Sequence, residues 1–259
     1  MSIGSIGFVG GGRVARIMLE GWQHAGALPA RVVVGDPNPE TLNLLKSRYP
    51  SIEVCLDDNC APAGQELVFL GLHPPAFADS LPVIAKSLRP GAVVVSLAPK
   101  ITIARLTGLL GGFDRIARVI PNAPSVVGSG FNPVAFGPGL DAAGRAAILE
   151  ILAPLGDAPV VEEATLEPYA VTAAMGPTYL WFRLYELRDL ARSFGLSDEA
   201  AATVVDRMAR GALDTMKSGL APADVMDLVP VRPLAESEPA VIDAYRTRLT
   251  AVMDRIRPA

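Results

Sequence analysis

The chain has 259 residues, of which 50% are hydrophobic and 19% charged, and its formal net charge is −4. A chain of this size and composition buries a substantial core, and it offers neither a basic surface for nucleic acid nor a block of like charge. No apolar run approaches the roughly 18 residues a membrane span requires and no basic leader precedes the first apolar run, so a cytoplasmic protein with no membrane partner is expected.

The first predicted element is a strand over Ser5–Val9, which meets Gly10-Gly11-Gly12 and then a helix from Arg13 to Trp22 with Val14, Ile17, Met18 and Trp22 at helical spacing. Gly10, Gly12 and Ala15 fit G-x-G-x-x-G/A between strand and helix. The first glycine permits the turn, the second lets a pyrophosphate approach the backbone, and the small third residue lets the helix pack on the strand. Unpaired amides and the positive end of the helix dipole hold a phosphate there. Gly10, Gly11, Gly12, Arg13 and Val14 are therefore the expected cofactor contacts. A second strand, Arg31–Gly35, ends at Asp36-Pro37-Asn38-Pro39. Asp36 stands where such folds accept hydrogen bonds from the adenosine ribose, and it equally suits a turn before a helix capped by Asn38 with Pro39 as its first residue. A carboxylate there favours NAD, whereas Asn38 has a donor for a 2′-phosphate, so NAD and NADP both stay open as cofactors.

A helix over Glu40–Arg48 and a short strand over Ile52–Val54 come next, and Leu67–Leu72 reads as a strand buried on both faces of a parallel sheet. His73-Pro74-Pro75 follows at its carboxyl end, where open α/β sheets bind their ligands, which adds His73 and Pro74 to the cofactor side. Ala76–Leu88 is a helix expected to break at Pro82, Ala92–Leu97 is a buried strand, and Ala98-Pro99-Lys100 leads to a helix capped by Thr102. Ala98, on the same sheet edge, joins the expected cofactor contacts. Strands over Ile116–Ile120 and Phe131–Phe136, a helix over Asp141–Leu152 and a strand at Val160-Val161 complete an alternation that argues for a doubly wound sheet. Beyond Glu162 the period turns helical. Leu180, Leu184, Leu187, Ala191 and Phe194 stripe one helix, Gly195 stops it, Ser197 caps a second running to Lys217, and Ser237-Glu238-Pro239 opens a last one from Ala240 to Arg255. Cys55, Cys60, His24 and His73 lack metal-ligand spacing, so no metal is expected.

Four stretches in this order resemble the pyrroline-5-carboxylate reductase family: the glycine turn, Val95-Ser96-Leu97-Ala98-Pro99-Lys100-Ile101-Thr102, Arg118-Val119-Ile120-Pro121-Asn122-Ala123-Pro124 and Gly176-Pro177-Thr178-Tyr179. The family counterparts of the last three are V-S-I-A-A-G-V-T, R-x-M-P-N-T-P and S-G-P-A-Y. Gly195-Leu196 and Gly211-Ala212 also fall where the family has G-L and G-A or G-S. The resemblance spans nearly the whole chain. It implies an α/β fold: a doubly wound Rossmann-type dinucleotide-binding domain over residues 1–162, then an all-helical dimerisation and substrate domain over residues 163–259. It further implies a homodimer whose active cleft is shared between protomers.

The departures from the family fall where substrate is expected. The family segment V-x-S-P-G-G-T-T supplies backbone amides and hydroxyls to the substrate's carboxylate and ring nitrogen, and Val229 to Glu236 stand there without its glycines or threonines. Ala173, Ala174 and Met175 replace the serines before Pro-Ala-Tyr, and His73 replaces a lysine common before the corresponding proline. A site built to hydrogen-bond a polar group loses discrimination when those groups go. The expected activity is NAD(P)H-dependent hydride transfer to a C=N bond of a small molecule, a cyclic imine other than pyrroline-5-carboxylate and bulkier or more apolar at that end. Asn122 is the leading candidate to position the nicotinamide or substrate, Thr178 to donate to the substrate nitrogen, and Arg232 to replace the lost amides as a carboxylate clamp. Each has a plainer reading: a turn held between prolines, helix packing, and an exposed ion pair. The alternative activities are a nucleotide-binding regulator with a decayed substrate half and a carbonyl or hydroxy-compound dehydrogenase. The latter normally wants a lysine on the first long helix, and Gly176–Leu190 contains none.

Overall fold

Runs of valine, isoleucine and leucine with almost no polar residue form strands that must be covered on both faces, and the chain supplies the helices in turn. The computed structural model describes residues 3–72 and 74–258. The elements begin β1 (Ile6–Val9), α1 (Arg13–His24), β2 (Val32–Asp36), α2 (Pro39–Arg48), β3 (Glu53–Leu56), α3 (Cys60–Ala63), β4 (Leu67–Leu70), α4 (Pro74–Ser87), β5 (Val93–Ser96), α5 (Ile103–Leu109) and β6 (Ile116–Val119). They continue with β7 (Gly130–Phe131), β8 (Val134–Phe136), α6 (Ala142–Leu152), β9 (Gly156–Asp157) and α7 (Leu166–Tyr169), and end with α8 (Pro177–Ser193), α9 (Asp198–Met216), α10 (Pro222–Asp227) and α11 (Glu238–Ile256). The main sheet has seven strands among the described residues, in the order β3-β2-β1-β4-β5-β6-β8. All neighbours are parallel except β6 and β8. The chain winds outward from β1 to β3 and then crosses back to lay β4 beside β1. That reversal puts the carboxyl ends of β1 and β4 side by side, the switch point at which such sheets bind ligands.

One face of the sheet packs Met18, Leu19 and Trp22 of α1 and Ile148 and Leu152 of α6 against Phe8, Phe69 and Val95. The Phe8 and Phe69 rings stack with centres 4.9 Å apart, and the buried Trp22 indole donates to the Ile151 carbonyl at 2.8 Å. The other face packs Phe77, Leu81 and Ile84 of α4 and Ile103 and Leu106 of α5 against Val68, Leu70 and Val94.

Three elements differ from expectation. Helix α4 runs through Pro82 without a break, because Leu81 and Ile84 around it are fully buried and that packing outweighs the roughly 3 kcal/mol an interior proline costs. The strand expected over Phe131–Phe136 is split in two by Asn132 and Pro133; the Asn132 amide donates to Asp157 while Pro133 has none to give. Val160 makes only an isolated bridge to Val134, and the strand lies earlier, at β9, paired with β7.

Contacts group the chain into two compact units: residues up to Met175 together with those from Met253 onward, and Gly176–Val252. The break falls later than residue 162 because Leu166 and Ala170 pack with Ile120 and Ala135, against which Ile256 also lies. The second unit is helical, and within α8 to α11 only Ala201 is buried. No helix of the described residues is long and apolar enough to cross a membrane, and no group of three or more His, Cys, Asp or Glu among them is placed to hold a metal ion.

Candidate functional site

At the end of β1, Gly10 takes a φ of +100°, and a Cβ there would lie 2.7 Å from the Gly71 carbonyl oxygen. Left-handed backbone and close approach to β4's exit both require glycine. Gly12 begins α1 as its N-cap with no side-chain cap among the described residues, and a Cβ on it would meet nothing within 4 Å. One glycine is thus demanded by the fold, and the other borders empty space. The space is a cavity of about 460 Å³ lined by residues 10–16, by Thr41, Leu44 and Leu45 of α2, and by Gly71. Gly10, Gly11, Gly12, Arg13 and Val14 are brought together there. The α2 residues and Gly71 were not singled out in the sequence; for Gly71, a glycine near the end of the strand expected over Leu67–Leu72, which stops at Leu70 in the structure, was the available signal.

Asp36 serves the turn on both sides. Its Oδ2 accepts from the Gly11 amide at 2.8 Å and its Oδ1 from the Asn38 amide at 2.8 Å. A carboxylate has about four acceptor positions, so room remains for a ribose hydroxyl. Asn38 caps α2, its Oδ1 accepting from Glu40 at 2.8 Å and Thr41 at 3.4 Å. The expectation for His73 lies outside the described residues, as does the side chain of Pro74, whose backbone opens α4. Ala98 is buried just beyond β5, its amide donating to Ser96 Oγ at 3.4 Å. It does not line the cavity.

Asn122 follows β6 and is 6% exposed. Its Oδ1 accepts from the Phe131 amide at 3.0 Å, its Nδ2 donates to the Ala173 carbonyl at 3.3 Å, and its own amide donates to Asn132 Oδ1 at 3.2 Å. The side chain thus ties β6 to β7 and to the π-helical turn Ala170–Ala174, as the plainer reading of a locked turn requires.

An ionic cluster that the sequence did not announce lies beneath the β5–α5 loop. The Arg118 side chain, fully buried, pairs with Glu163 at 3.0 Å and with buried Glu167. Glu163 also accepts from the Ile103 amide at 2.7 Å, and Glu167 from the Lys100 amide at 2.9 Å. Lys100 has a φ of +77° and stands where the family motif V-S-I-A-A-G-V-T has its glycine. The cluster therefore holds a backbone shape that the side chain disfavours.

In the second unit, Thr178 and Tyr179 line a pocket of about 370 Å³ together with Phe182, Arg183, Tyr245 and Arg248. Burial, and then the neighbouring Tyr245, pushes the Tyr179 hydroxyl above its ordinary range. Arg232 does not line that pocket; it lies on an exposed segment, paired with Glu238. The plainer reading, an exposed ion pair, describes it.

A family model described as NADP oxidoreductase, coenzyme F420-dependent, matches residues 5–100, from β1 through the loop after β5. The pyrroline-5-carboxylate reductase of Pseudomonas aeruginosa is 26% identical over 227 residues, covering 87% of this chain and 83% of that one. Pyrroline-5-carboxylate reductase 2 of Bacillus subtilis is 28% identical over 223 residues, covering 84% and 78%. The chain thus resembles pyrroline-5-carboxylate reductases over most of its length. The pyrroline carboxylate reductase of Plasmodium falciparum, solved with NADP bound, shares its fold at a TM-score of 0.77 and 17% identity, covering 98% of this chain and 95% of that one. Set beside the reductase motifs, the glycine turn and Pro121-Asn122-Ala123-Pro124 are kept, while Lys100 and Val229–Glu236 depart.

Proposed function

We infer that this protein is an NAD(P)H-dependent oxidoreductase that reduces the C=N bond of a cyclic imine other than pyrroline-5-carboxylate. The carrying observation is the pair Gly10 and Gly12: a turn that only glycine permits, leading to an uncapped helix start where a Cβ would point into open space. The residues fit a dinucleotide. Amides of residues 12–14 hold its pyrophosphate, the Gly11 amide being taken by Asp36, and Asp36 accepts from its ribose. A bound reduced nicotinamide supplies the hydride. The chain's own tasks are to orient, to exclude water and to hold a proton. In this reading Asn122 fixes the loop beside the reacting ring, and the Thr178 hydroxyl holds a proton toward the imine nitrogen. Arg232 clamps a carboxylate only by giving up Glu238.

The substrate's difference from pyrroline-5-carboxylate rests on residues 229–236, where glycine amides and hydroxyls give way to apolar side chains such as Val231 and Leu234, each 71% exposed. A second copy of this chain belongs to the reading. Tyr185, Met208 and Leu213 stand exposed on helices that bury almost nothing of their own, as does Phe194 at the end of α8, an apolar excess that soluble monomers avoid.

Asp36 sets the cofactor preference, because its carboxylate repels a 2′-phosphate. Fluorescence titration is expected to show NADH binding more tightly than NADPH, and Asp36→Ala to shift that ratio toward NADPH by about tenfold. Equal affinities in the unsubstituted chain would contradict this assignment.

A further inference from the structure

Two arginines of the second unit face a pocket without a carboxylate to neutralise them. Elsewhere in the unit Arg188 and Arg192 pair with Asp189, Arg210 with Asp206 and Arg232 with Glu238. Arg183, Arg207, Arg246 and Arg248 have no such partner among the described residues, and of these four Arg183 and Arg248 line the pocket that begins at Thr178.

Arg183 is held in place by rings. Its guanidinium carbon lies 5.1 Å from the centre of the Tyr245 ring and 5.4 Å from that of Phe182. Tyr245 is itself fixed, since its hydroxyl donates to the Tyr179 carbonyl at 3.3 Å and the two rings meet edge-on with centres 5.8 Å apart. Stacking occupies the face of a guanidinium and leaves its in-plane N–H fork for an anion. Arg248, three residues after Tyr245 on α11, adds a second cation to the same pocket. Val241, Ala244 and Leu249 make the rest of the wall apolar. A preorganised fork, a second positive charge and flat hydrophobic walls match a carboxylate carried on a flat apolar body, whereas a bare phosphate would leave the rings unused.

We propose that this pocket binds a small organic carboxylate with a flat apolar body, and that Arg183 and Arg248 grip its acid group. Resting on the oxidoreductase reading, the same grip anchors the acid end of the substrate and takes over from the glycine amides missing at Val229–Glu236. Arg232, already paired, is not needed for it.

Calorimetric titration of the intact chain with benzoate, benzamide and inorganic phosphate tests the proposal. Benzoate is expected to bind saturably, benzamide not to, and phosphate to bind more weakly than benzoate. Arg183→Gln and Arg248→Gln should each weaken benzoate about tenfold, with Arg183→Lys in between because it keeps the charge and loses the fork. Arg248 is exposed, so Arg248→Gln carries the test if the melting temperature shows that Arg183→Gln has perturbed the fold. Absence of saturable benzoate binding, equal binding of benzamide or phosphate, or no loss in the double variant overturns the proposal. NADH and NADPH titrations on the same sample separate the two ideas: benzoate binding in a chain that binds neither dinucleotide supports the pocket and overturns the oxidoreductase reading alone.

Discussion

Gly10 and Gly12 sit two residues apart and do different work. At Gly10 an alanine would meet both a left-handed backbone and the Gly71 carbonyl at 2.7 Å, so Gly10→Ala is expected to cost about 1–2 kcal/mol or more of stability, read from the denaturation midpoint. Gly12 has an extended backbone, φ −67° and ψ −160°, with nothing near its Cβ position. Gly12→Ala should melt like the parent and weaken dinucleotide binding by about tenfold, because the added methyl stands where a pyrophosphate must approach. If Gly12→Ala bound NADH and NADPH as tightly as the parent, the cavity beside α1 would not be the dinucleotide site. The sequence assigned the turn to Gly10 and the pyrophosphate approach to Gly12; the Gly71 carbonyl that closes on Gly10 was not legible, because it lies at the end of a strand distant in the chain.

Among the elements, the buried cluster of Arg118, Glu163 and Glu167 joins β6, the loop after β5 and the segment that leads into α7. Breaking one side of such a cluster strands a charge in the interior. Arg118→Met is expected to lose about 3–5 kcal/mol in denaturant unfolding, and adding Glu167→Leu should recover part of it by removing the orphaned carboxylate. A loss below about 1 kcal/mol for Arg118→Met would show the cluster to be dispensable. Arg118 was visible in the sequence as part of a motif, yet its partners lie 45 and 49 residues away, beyond any local pattern. The same reason explains the other surprises. Pro82 reads as a helix breaker until Leu81 and Ile84 are seen buried around it, and the split at Asn132-Pro133 depends on Asp157 and Ile120, which only the folded chain brings near. Local signals such as the caps at Asn38, Thr102 and Ser197 acted where they were read, since a cap needs only the next three residues.

For the molecule as a whole, the alternation of strands and helices in the first unit and the helical period in the second were both carried by periodicity. The substrate was not legible in the same way, because the residues that differ from the reductase family make no motif of their own. The helical unit's exposed apolar side chains lead to a prediction about assembly: light scattering after size exclusion should give twice the chain mass of 27.2 kDa, and Phe194→Glu, on the most exposed aromatic of the unit at 79%, should shift the population toward monomer. A monodisperse monomer for the parent would contradict it. The central claim, reduction of a cyclic imine that is not pyrroline-5-carboxylate, is tested most directly by following NADH and NADPH consumption at 340 nm against a panel containing pyrroline-5-carboxylate and cyclic imines with larger apolar substituents. Turnover of a larger imine at well above the rate for pyrroline-5-carboxylate is the predicted result; dinucleotide binding with no turnover of any imine, or preferred turnover of pyrroline-5-carboxylate, would contradict it.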